Sequence, residues 1–500
     1  MKFSRALLSA SVALSAGFVF AQDTPATPAG VEPTAQGVTP ETSAYRRRVV
    51  DAIALYKAGK TPEATAEFER LYEEDGKVLE VQSWLGFLYL ESGQAGRAVP
   101  LLEAASTTDP GNLETLNNLG NAYLSSGNTD AALVKYDRLA KLSPKMFQPH
   151  YNAGNILLGK AQYAEASKRY RSALAVEPDS APVWNNLGVA LDGQKDLAGS
   201  AEAFRKASDL VPGNAVYARN AGLELQKASR KREAATYLQR AIDLGEKDSK
   251  VILNLGQIYT ENGEYAKAQD LYGSVSENDR DGAVYWYNLG VLRQRTKDYA
   301  GSESAYRRAA LINPEDASTL LNLGLVQYHQ GKYEDAREQF EGAMKLQPAN
   351  KVARKNYAAA ASRSGHRAEA IAIWRETVQS NPADFATRGE LASALYESGD
   401  YEGARYQYKE ILKQKANSAP ALNGMGLLHL RELKLPQAEA AFRGAINADP
   451  KFVPAYNNLA VVLEKLNRRP QAIGFLEKAN RIDPRNQDVI RNLKRLKSDS

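Results

Sequence analysis

The sequence repeats itself every 34 residues, and this period limits the possible folds more than any other feature of the chain. The string NNLG occurs at Asn117–Gly120 and Asn185–Gly188 and returns as NNLA at Asn457–Ala460, with related NAG and NLG strings between them. Their spacing is 34 residues or a multiple of 34, and a frame laid from Tyr45 holds thirteen repeats without insertion or deletion. Periods of this length are typical of chains in which small identical units stack on their neighbours. We therefore expect a solenoid.

Four positions of the frame predict what each repeat looks like. Position 8 is Gly in nine repeats and Ala in four, position 20 is Ala or Ser, position 24 is aromatic in ten, and position 32 is Pro in nine. A glycine inside a helix costs about 1 kcal/mol relative to alanine, so its recurrence needs a packing reason. Small residues at positions 8 and 20 let two helices approach closely around the bulky position 24, and proline at position 32 ends the second helix. Each repeat is therefore predicted to be a pair of antiparallel helices.

The frame resembles the tetratricopeptide repeat, in which positions 4, 7, 8, 11, 20, 24, 27 and 32 carry W-L-G-Y-A-F-A-P. The best single match is the repeat 79–112, with Leu85, Gly86, Tyr89, Ala98, Leu102, Ala105 and Pro110 in register. The resemblance implies an all-α fold, a right-handed superhelix of antiparallel helix pairs whose concave groove is lined by the first helix of each pair. Departures are local: the first repeat has Asp51 at position 7 and Gly76 at position 32, and Glu246, Arg280 and Ala416 replace the proline in three others. These three junctions are expected to be less rigid than the others.

The frame also divides the chain into regions. We predict a signal peptide at 1–21, a disordered linker rich in Pro, Thr and Ala at 22–44, thirteen repeats at 45–486 and a C-terminal capping helix at 487–500. The linker has too few large apolar side chains to offset the entropy of ordering it. The cap carries Val489, Ile490, Leu493 and Leu496 on one helical face. The predicted repeats are 45–78, 79–112, 113–146, 147–180, 181–214, 215–248, 249–282, 283–316, 317–350, 351–384, 385–418, 419–452 and 453–486.

The first residues have the pattern of a secretory leader. Lys2 and Arg5 precede an apolar run from Ala6 to Phe20, which is shorter than the ~20 residues of a membrane-spanning helix. Val19 and Ala21 are small residues at the −3 and −1 positions of a cleavage site. We therefore expect cleavage after Ala21 and export to a periplasm or the medium, with no integral membrane segment left in the mature chain.

Composition and histidine placement argue against catalysis. The chain has no Cys and four His, at positions 150, 329, 366 and 429, which fall in different repeats at different frame positions. No metal-binding spacing, phosphate loop or nucleophile motif is found, so we predict no enzyme activity, no catalytic residues, no metal site and no cofactor. The net charge of +5 falls to +3 without Lys2 and Arg5, which gives no argument for a nucleic acid partner.

Position 6 of the frame carries a column of asparagines. Helical geometry places this position on the side of the first helix opposite to positions 4, 7, 8 and 11, where Glu, Lys or Gln would favour the helix more. A side-chain amide offers a donor and an acceptor together, so it can hold a peptide backbone. The predicted peptide-binding residues are Asn118, Asn152, Asn186, Asn220, Asn254, Asn288, Asn322 and Asn356, with Asn121, Asn155, Tyr151 and Tyr287 beside them.

The column has two interpretations, which the sequence leaves open. It resembles the asparagine ladder in the tetratricopeptide repeats of O-linked N-acetylglucosamine transferase, although the catalytic domain of that family is absent here. Alternatively, the amides bridge neighbouring helices and serve the fold alone.

The function predicted from the sequence is that of an exported, non-enzymatic scaffold which binds extended polypeptide segments in its groove. The partner is therefore expected to be a protein or peptide, and the sequence assigns no oligomeric state. One alternative is a structural component of an envelope or secretion assembly. Another is an accessory subunit of an enzyme that modifies peptides or polysaccharide.

Overall fold

The computed structural model describes residues 27–28 and 40–498, and every regular element in this part of the chain is a helix. The predicted signal peptide and most of the predicted linker lie outside these residues. The first helix begins at Pro40, inside the predicted linker and five residues before the repeat frame starts. Proline is well suited to the first position of a helix because that position needs no N–H donor.

The described residues up to Val275 form one compact unit, called here the N-terminal unit. It consists of seven helix pairs. Its helices are α1 (Pro40–Lys57), α2 (Thr61–Glu74), α3 (Leu79–Glu91), α4 (Ala95–Thr108), α5 (Leu113–Ser125), α6 (Thr129–Leu142), α7 (Phe147–Gly159), α8 (Tyr163–Val176), α9 (Ala181–Gly193), α10 (Leu197–Leu210), α11 (Ala215–Lys227), α12 (Lys231–Asp243), α13 (Ser249–Asn262) and α14 (Tyr265–Ser274).

The described residues from Ser276 onwards form the C-terminal unit. It opens with a short 3-10 helix and continues with six helix pairs and a last single helix. The 3-10 helix is Glu277–Asp281, and the α-helices are α15 (Ala283–Arg295), α16 (Tyr299–Ile312), α17 (Ala317–His329), α18 (Tyr333–Leu346), α19 (Lys351–Arg363), α20 (Arg367–Ser380), α21 (Phe385–Glu397), α22 (Tyr401–Gln414), α23 (Ala419–Arg431), α24 (Leu435–Ala448), α25 (Val453–Lys465), α26 (Arg469–Ile482) and α27 (Gln487–Ser498).

The glycine at position 8 lies directly against the ring at position 24 of the same repeat. In the third repeat, a Cβ atom on Gly120 would lie 2.7 Å from Tyr136 Cε1, which is closer than real Cβ contacts come. Tyr136 and the position-20 residue Ala132 have no exposed surface. In the repeats that carry glycine at position 8, the side chain at position 24 thus leaves no room for a Cβ atom without a shift. The all-α repeat fold predicted from the sequence is confirmed.

A second regular contact closes the junction between repeats. In several repeats the side chain at position 4 bonds to the carbonyl at position 32 of the preceding repeat, six residues earlier. Trp184 Nε1 donates to the Pro178 carbonyl at 2.7 Å, and Tyr456 Oη donates to the Pro450 carbonyl at 2.9 Å. Because proline blocks continuation of the second helix, its carbonyl is available to the first helix of the next repeat.

The last helix, α27, covers the apolar edge of the final repeat. Val489 and Leu496 are buried, and Arg469 Nε of α26 donates to the Leu496 carbonyl at 3.0 Å. Arg495 forms an ion pair with Glu464 of α25 at 2.5 Å. This is the geometry that a capping helix requires, with its apolar face inward and its charges towards solvent.

Candidate functional site

The asparagines at position 6 are largely buried. In the N-terminal unit, Asn118 and Asn186 each expose 1% of their surface, and Asn152 and Asn220 are also buried, whereas Asn254 is half-buried. In the C-terminal unit, Asn288 is buried, and Asn322 and Asn356 are half-buried. Position 6 therefore faces the neighbouring first helix more than it faces solvent.

Several of these amides bridge consecutive first helices in the N-terminal unit. Asn220 Nδ2 donates to Asn185 Oδ1 at 2.9 Å, and Asn186 Nδ2 donates to Asn155 Oδ1 at 3.0 Å. Asn155 also accepts a hydrogen bond from the Tyr170 hydroxyl at 2.8 Å. The same arrangement of tyrosine and asparagine recurs one repeat earlier, between Tyr136 and Asn121. Asn121 and Asn155, predicted to bind peptide, are thus acceptors inside the fold.

The bridges follow one rule in the C-terminal unit. Where the preceding repeat carries a side-chain acceptor at position 5, the position-6 amide donates to it, thirty-five residues earlier. Asn322 Nδ2 donates to the Tyr287 hydroxyl at 3.1 Å, and Asn458 Nδ2 donates to Asn423 Oδ1 at 3.0 Å. Asn492 in the capping helix donates to Asn457 at 2.8 Å. Sequence reasoning missed Asn492, although the dipeptide Asn492–Leu493 continues the NL strings in phase.

Most of the predicted binding residues are therefore engaged within the fold. Tyr151, another predicted binding residue, is also buried, and its ring stacks on Phe147 with centroids 5.5 Å apart. The bridging interpretation describes the contacts that these side chains make. A contact with peptide stays a prediction, and it applies best to the half-buried amides.

The ladder of bridges is interrupted at Asn254. Position 5 of the preceding repeat is Arg219, which cannot accept a hydrogen bond and instead forms an ion pair with Glu246 at 3.1 Å. Asn254 Nδ2 donates to the Lys250 carbonyl of its own helix at 2.7 Å. Glu246 occupies position 32, one of the three places where the proline is replaced. At this junction, the replacement supplies the carboxylate that holds Arg219.

A cleft of about 420 Å³ lies at this interruption, within the N-terminal unit. It extends over the first helices of three successive repeats, α9, α11 and α13, and we call it the α9–α13 cleft. It is lined by Val189, Asp192, Phe204, Arg219, Asn220, Leu223, Glu224, Gln226, Lys227, Asp248, Lys250 and Asn254.

A charged triad forms part of the lining. Lys227 Nζ lies 2.7 Å from Glu224 Oε2 and 3.3 Å from Asp192 Oδ1. Glu224 is buried, with 3% of its surface exposed, and its Oε1 atom has no hydrogen-bond partner among the described residues. Burial raises the pKa of the Glu224 carboxyl, Lys227 opposes that rise, and Asp192 adds to it. Burial acts to lower the pKa of Lys227, but its hydrogen bonds and charge attraction to Glu224 and Asp192 together outweigh burial, and the pKa is raised.

Sequence reasoning also missed Glu224, although the repeat frame contains the signal. Glu224 stands at position 10, which is Ala, Leu, Ile or Val in the other twelve repeats. A carboxylate at a position that is otherwise apolar is unfavourable for packing, because burying an ion without full hydrogen bonding is costly. Such an exception points to a local role for Glu224.

The histidines do not form a common site. His150 Nε2 lies 3.0 Å from the Pro144 carbonyl, in the same junction contact that Trp184 makes. The ring of His329 stacks on Tyr299, and His366 lies beside Glu334 at 3.2 Å. Among residues 27–28 and 40–498, no group of three or more His, Asp or Glu side chains is arranged to hold a metal ion. In the same part of the chain, no helix combines the length and apolar character needed to cross a membrane.

Models of known families match most of the repeat region. A tetratricopeptide repeat model matches residues 151–215 and 423–486, and a second tetratricopeptide repeat model matches 89–154. The model described as the C-terminal domain of cilia and flagella-associated protein 70 matches 213–427. Together these matches run from the second predicted repeat to the last.

One relative and several solved structures are similar to parts of the chain. The tetratricopeptide repeat domain-containing protein PYG7 of Arabidopsis thaliana is 35% identical over 69 residues, which are 14% of this chain and 23% of that protein. The alignment thus spans about a quarter of that relative's length.

Among the solved structures, the Cut9–Hcn1 complex of the APC/C has a TM-score of 0.37 at 14% identity, covering 92% of this chain and 96% of the other. The Naa15/Naa10 complex bound to HypK-THB has a TM-score of 0.38 at 13% identity, covering 91% and 96%. MamA from Desulfovibrio magneticus RS-1 is 26% identical, with a TM-score of 0.31, over 33% of this chain and 94% of its own.

Proposed function

The chain is a tetratricopeptide-repeat protein, and we propose that it is a non-enzymatic scaffold that binds extended polypeptide segments of protein partners on the face formed by its first helices. The observation that carries the proposal is the α9–α13 cleft, where that face opens in the N-terminal unit. Asn220, Asn322 and Asn458 each donate to the position-5 side chain of the preceding repeat. At this cleft Asn254 has no such partner, because position 5 is Arg219, and polar groups border open space.

The size of the cleft suits a short extended segment. Neighbouring helices pack about 10 Å apart, so three successive first helices span roughly 20 Å. An extended chain rises about 3.3 Å per residue, and such a span therefore takes about six residues. Val189, Phe204 and Leu223 supply apolar contact, and the Asn254 amide, bonded only to its own helix, is available to exchange that bond for a peptide carbonyl.

Photo-crosslinking tests the proposal directly. A photoreactive residue at Gln226, which lines the cleft, should capture members of a random peptide library offered to the full chain. The same residue at Arg171, an exposed position on the second helix α8, is the matched control. Capture at Gln226 and not at Arg171 supports the proposal. Equal capture at both positions, or none at either, contradicts it.

The proposal extends to localisation, where the argument comes from the sequence. Lys2, Arg5 and the apolar run that ends at Ala21 favour export to a periplasm or the medium. The mass of the intact protein recovered from the native host tests this. A mature chain that begins at Gln22 outside the cytoplasm is expected, and a cytoplasmic species that retains Met1 would contradict export.

Affinity purification separates the two alternatives from the main proposal. A stable complex of fixed stoichiometry would favour the structural component, and co-purified catalytic activity would favour the accessory subunit. Many extended clients in substoichiometric amounts are expected for a peptide-binding scaffold.

A further inference from the structure

We propose that the α9–α13 cleft binds a basic side chain of the polypeptide, arginine or lysine, between the carboxylates of Glu224 and Asp192. This inference rests on the proposed function, because it names the chemistry of the segment that the cleft takes.

The first argument is the unusual position of Glu224. It is the charged exception at a frame position that is apolar in the other twelve repeats. The carboxylate is buried, yet Oε1 lacks a hydrogen-bond partner among residues 27–28 and 40–498. Buried polar atoms are nearly always hydrogen-bonded, since an unmade bond in a low-dielectric site is costly. The missing partner must be a donor, because an ionised carboxylate only accepts.

The second argument is the balance of charge around the cleft. Lys227 is shared between Glu224 and Asp192, so the triad keeps one negative charge. Arg219 is neutralised by Glu246, outside the lining, and the Asp248 carboxylate accepts from the Lys250 backbone N–H at 2.9 Å. The lining as a whole carries three carboxylates and three cations, so the negative charge in excess is that of the triad. This local charge and the unpartnered Glu224 Oε1 both favour a single cation.

Arginine fits this demand better than lysine. Its planar guanidinium carries five donors in a fixed fork and forms strong bonds to carboxylates, so one arginine can serve both Glu224 and Asp192. An acidic side chain would meet two carboxylates at this place and would be repelled. Burial, with the neighbouring Asp192 carboxylate, raises the pKa of Glu224 despite Lys227, and a second cation at this place would oppose that rise.

Binding of a matched peptide series to the full chain tests the inference. The peptides are seven residues long, are built of Ala and Gln, and carry Arg, citrulline or Glu at the centre. Citrulline keeps the shape of arginine but has no charge. We expect the Arg peptide to bind at least tenfold more tightly than the citrulline peptide, and the Glu peptide to bind most weakly.

Variants assign the preference to the triad. Glu224→Gln keeps the size of the side chain and should abolish the difference between the Arg and citrulline peptides, and Asp192→Asn should reduce it. Lys227→Met removes the competing cation and should increase the preference. Asp137→Asn is the matched control, because Asp137 is also ion-paired, to Arg169, but lies on α6 away from the cleft. Its peptide preference should equal that of the parent.

Each outcome bears on the inference. Equal affinities of the parent for Arg and citrulline, no measurable binding of either at millimolar concentration, or a preference that survives in both Glu224→Gln and Asp192→Asn would overturn it. Peptide capture at Gln226 without an arginine preference would leave the proposed function standing while this inference fails. Thermal melting of each variant shows that the fold is retained, and Asp192→Asn serves if Glu224→Gln alters it.

Discussion

The Asn220 amide donates to Asn185 Oδ1 at 2.9 Å, joining two repeats through residues that are thirty-five positions apart in the sequence. One repeat later, the equivalent donor, Asn254, faces Arg219 and turns to its own helix. At position 5, Arg219 takes the place of an acceptor and pairs with Glu246 of its own repeat. The junction between α11 and α13 therefore lacks the amide bridge that joins α9 to α11, and the cleft lies at this change.

Asn220→Ala and Asn254→Ala separate the structural and binding roles of the asparagine column. Asn220→Ala removes a buried bridge and leaves Asn185 without its donor, so we expect a loss of about 1 kcal/mol in the stability of the α9–α11 junction. Asn254→Ala removes only a bond within its own helix, and Ala is the better helix former, so stability should hold while peptide affinity falls roughly tenfold. Hydrogen exchange of the two junctions and peptide titrations measure both effects. The opposite pattern would reverse the assignment of the two residues.

Gly154→Ala tests the close packing of position 8. A Cβ at this position would lie 2.7 Å from Tyr170 Cε1, so the ring must shift, and we expect a loss of about 1–3 kcal/mol in stability. Gly474 in α26 is the matched control, because a Cβ there meets nothing within 4 Å. Gly474→Ala should stabilise the protein by up to about 1 kcal/mol. Thermal unfolding of both variants checks the pair, and equal shifts would show that space at position 8 is not the constraint.

The repeat fold could be predicted from the sequence because its causes are local and repeated thirteen times. Gly120 and Tyr136 are sixteen residues apart in the sequence, and the same two frame positions meet in the other repeats that carry this glycine. The residue types at positions 8 and 24 were therefore sufficient to predict the helix pair. The direction of position 6 was harder to predict. Helical geometry places Asn220 opposite its own repeat's core, but that side of a first helix packs on the first helix of the preceding repeat, where an amide is buried.

The cleft could not be predicted from the periodicity, because it depends on exceptions to it. Glu224 and Glu246 depart from the frame at two positions, and Arg219 stands at position 5, which varies from repeat to repeat. Only the fold brings the three together. Averaging over repeats hides such residues. Comparing each repeat with the frame position by position would have singled out Glu224.

Leu433→Gly tests a turn that the periodicity did not reveal. Position 15, between the two helices of a repeat, has positive φ in all thirteen repeats, and it is Gly in seven of them and another residue in six. Leu433 has φ 59° and is 73% exposed. A left-handed conformation costs a residue other than glycine about 1–2 kcal/mol, so Leu433→Gly should raise stability by roughly 0.5–1 kcal/mol after the greater backbone entropy of glycine is counted.

The neighbouring Lys434 provides the control for this turn. Its φ is −80°, so Lys434→Gly relieves no strain, and because Lys434 is the N-cap of α24, where glycine is tolerated, stability should change by no more than a few tenths of a kcal/mol. Thermal unfolding of the two variants decides the matter. A gain in Leu433→Gly no larger than the change in Lys434→Gly would show that the turn is unstrained.

The affinity for the Arg peptide should depend on pH. Because burial, together with Asp192, raises the pKa of Glu224 despite Lys227, the carboxyl takes up a proton at a higher pH than an ordinary glutamic acid. The protonated group has no charge to offer arginine. On acidification, binding of the Arg peptide should therefore weaken at a higher pH than the one at which exposed carboxyls take up protons. The charged groups that line the cleft with Glu224 are Asp192, Lys227, Arg219, Asp248 and Lys250. Titrations at pH 7 and pH 5 check this, and Glu224→Gln should remove the difference.

Deleting the chain from Gln487 onwards should lower the local stability of the last repeat more than that of any other repeat. The deletion removes Val489 and Leu496, which are buried against the final helix pair, and the bridge from Asn492 to Asn457. The apolar side chains of α25 and α26 would then face water, and in a solenoid each repeat is stabilised mainly by its neighbours. We expect hydrogen exchange to accelerate in α25 and α26, while α9–α11 keep their protection.

Lys494→Ala, an exposed change in the same helix as the deletion, is the control and should leave both regions unaltered. Uniform acceleration along the chain would mean that the repeats unfold as one cooperative body, and unchanged exchange in α25 and α26 would mean that α27 does not cap them.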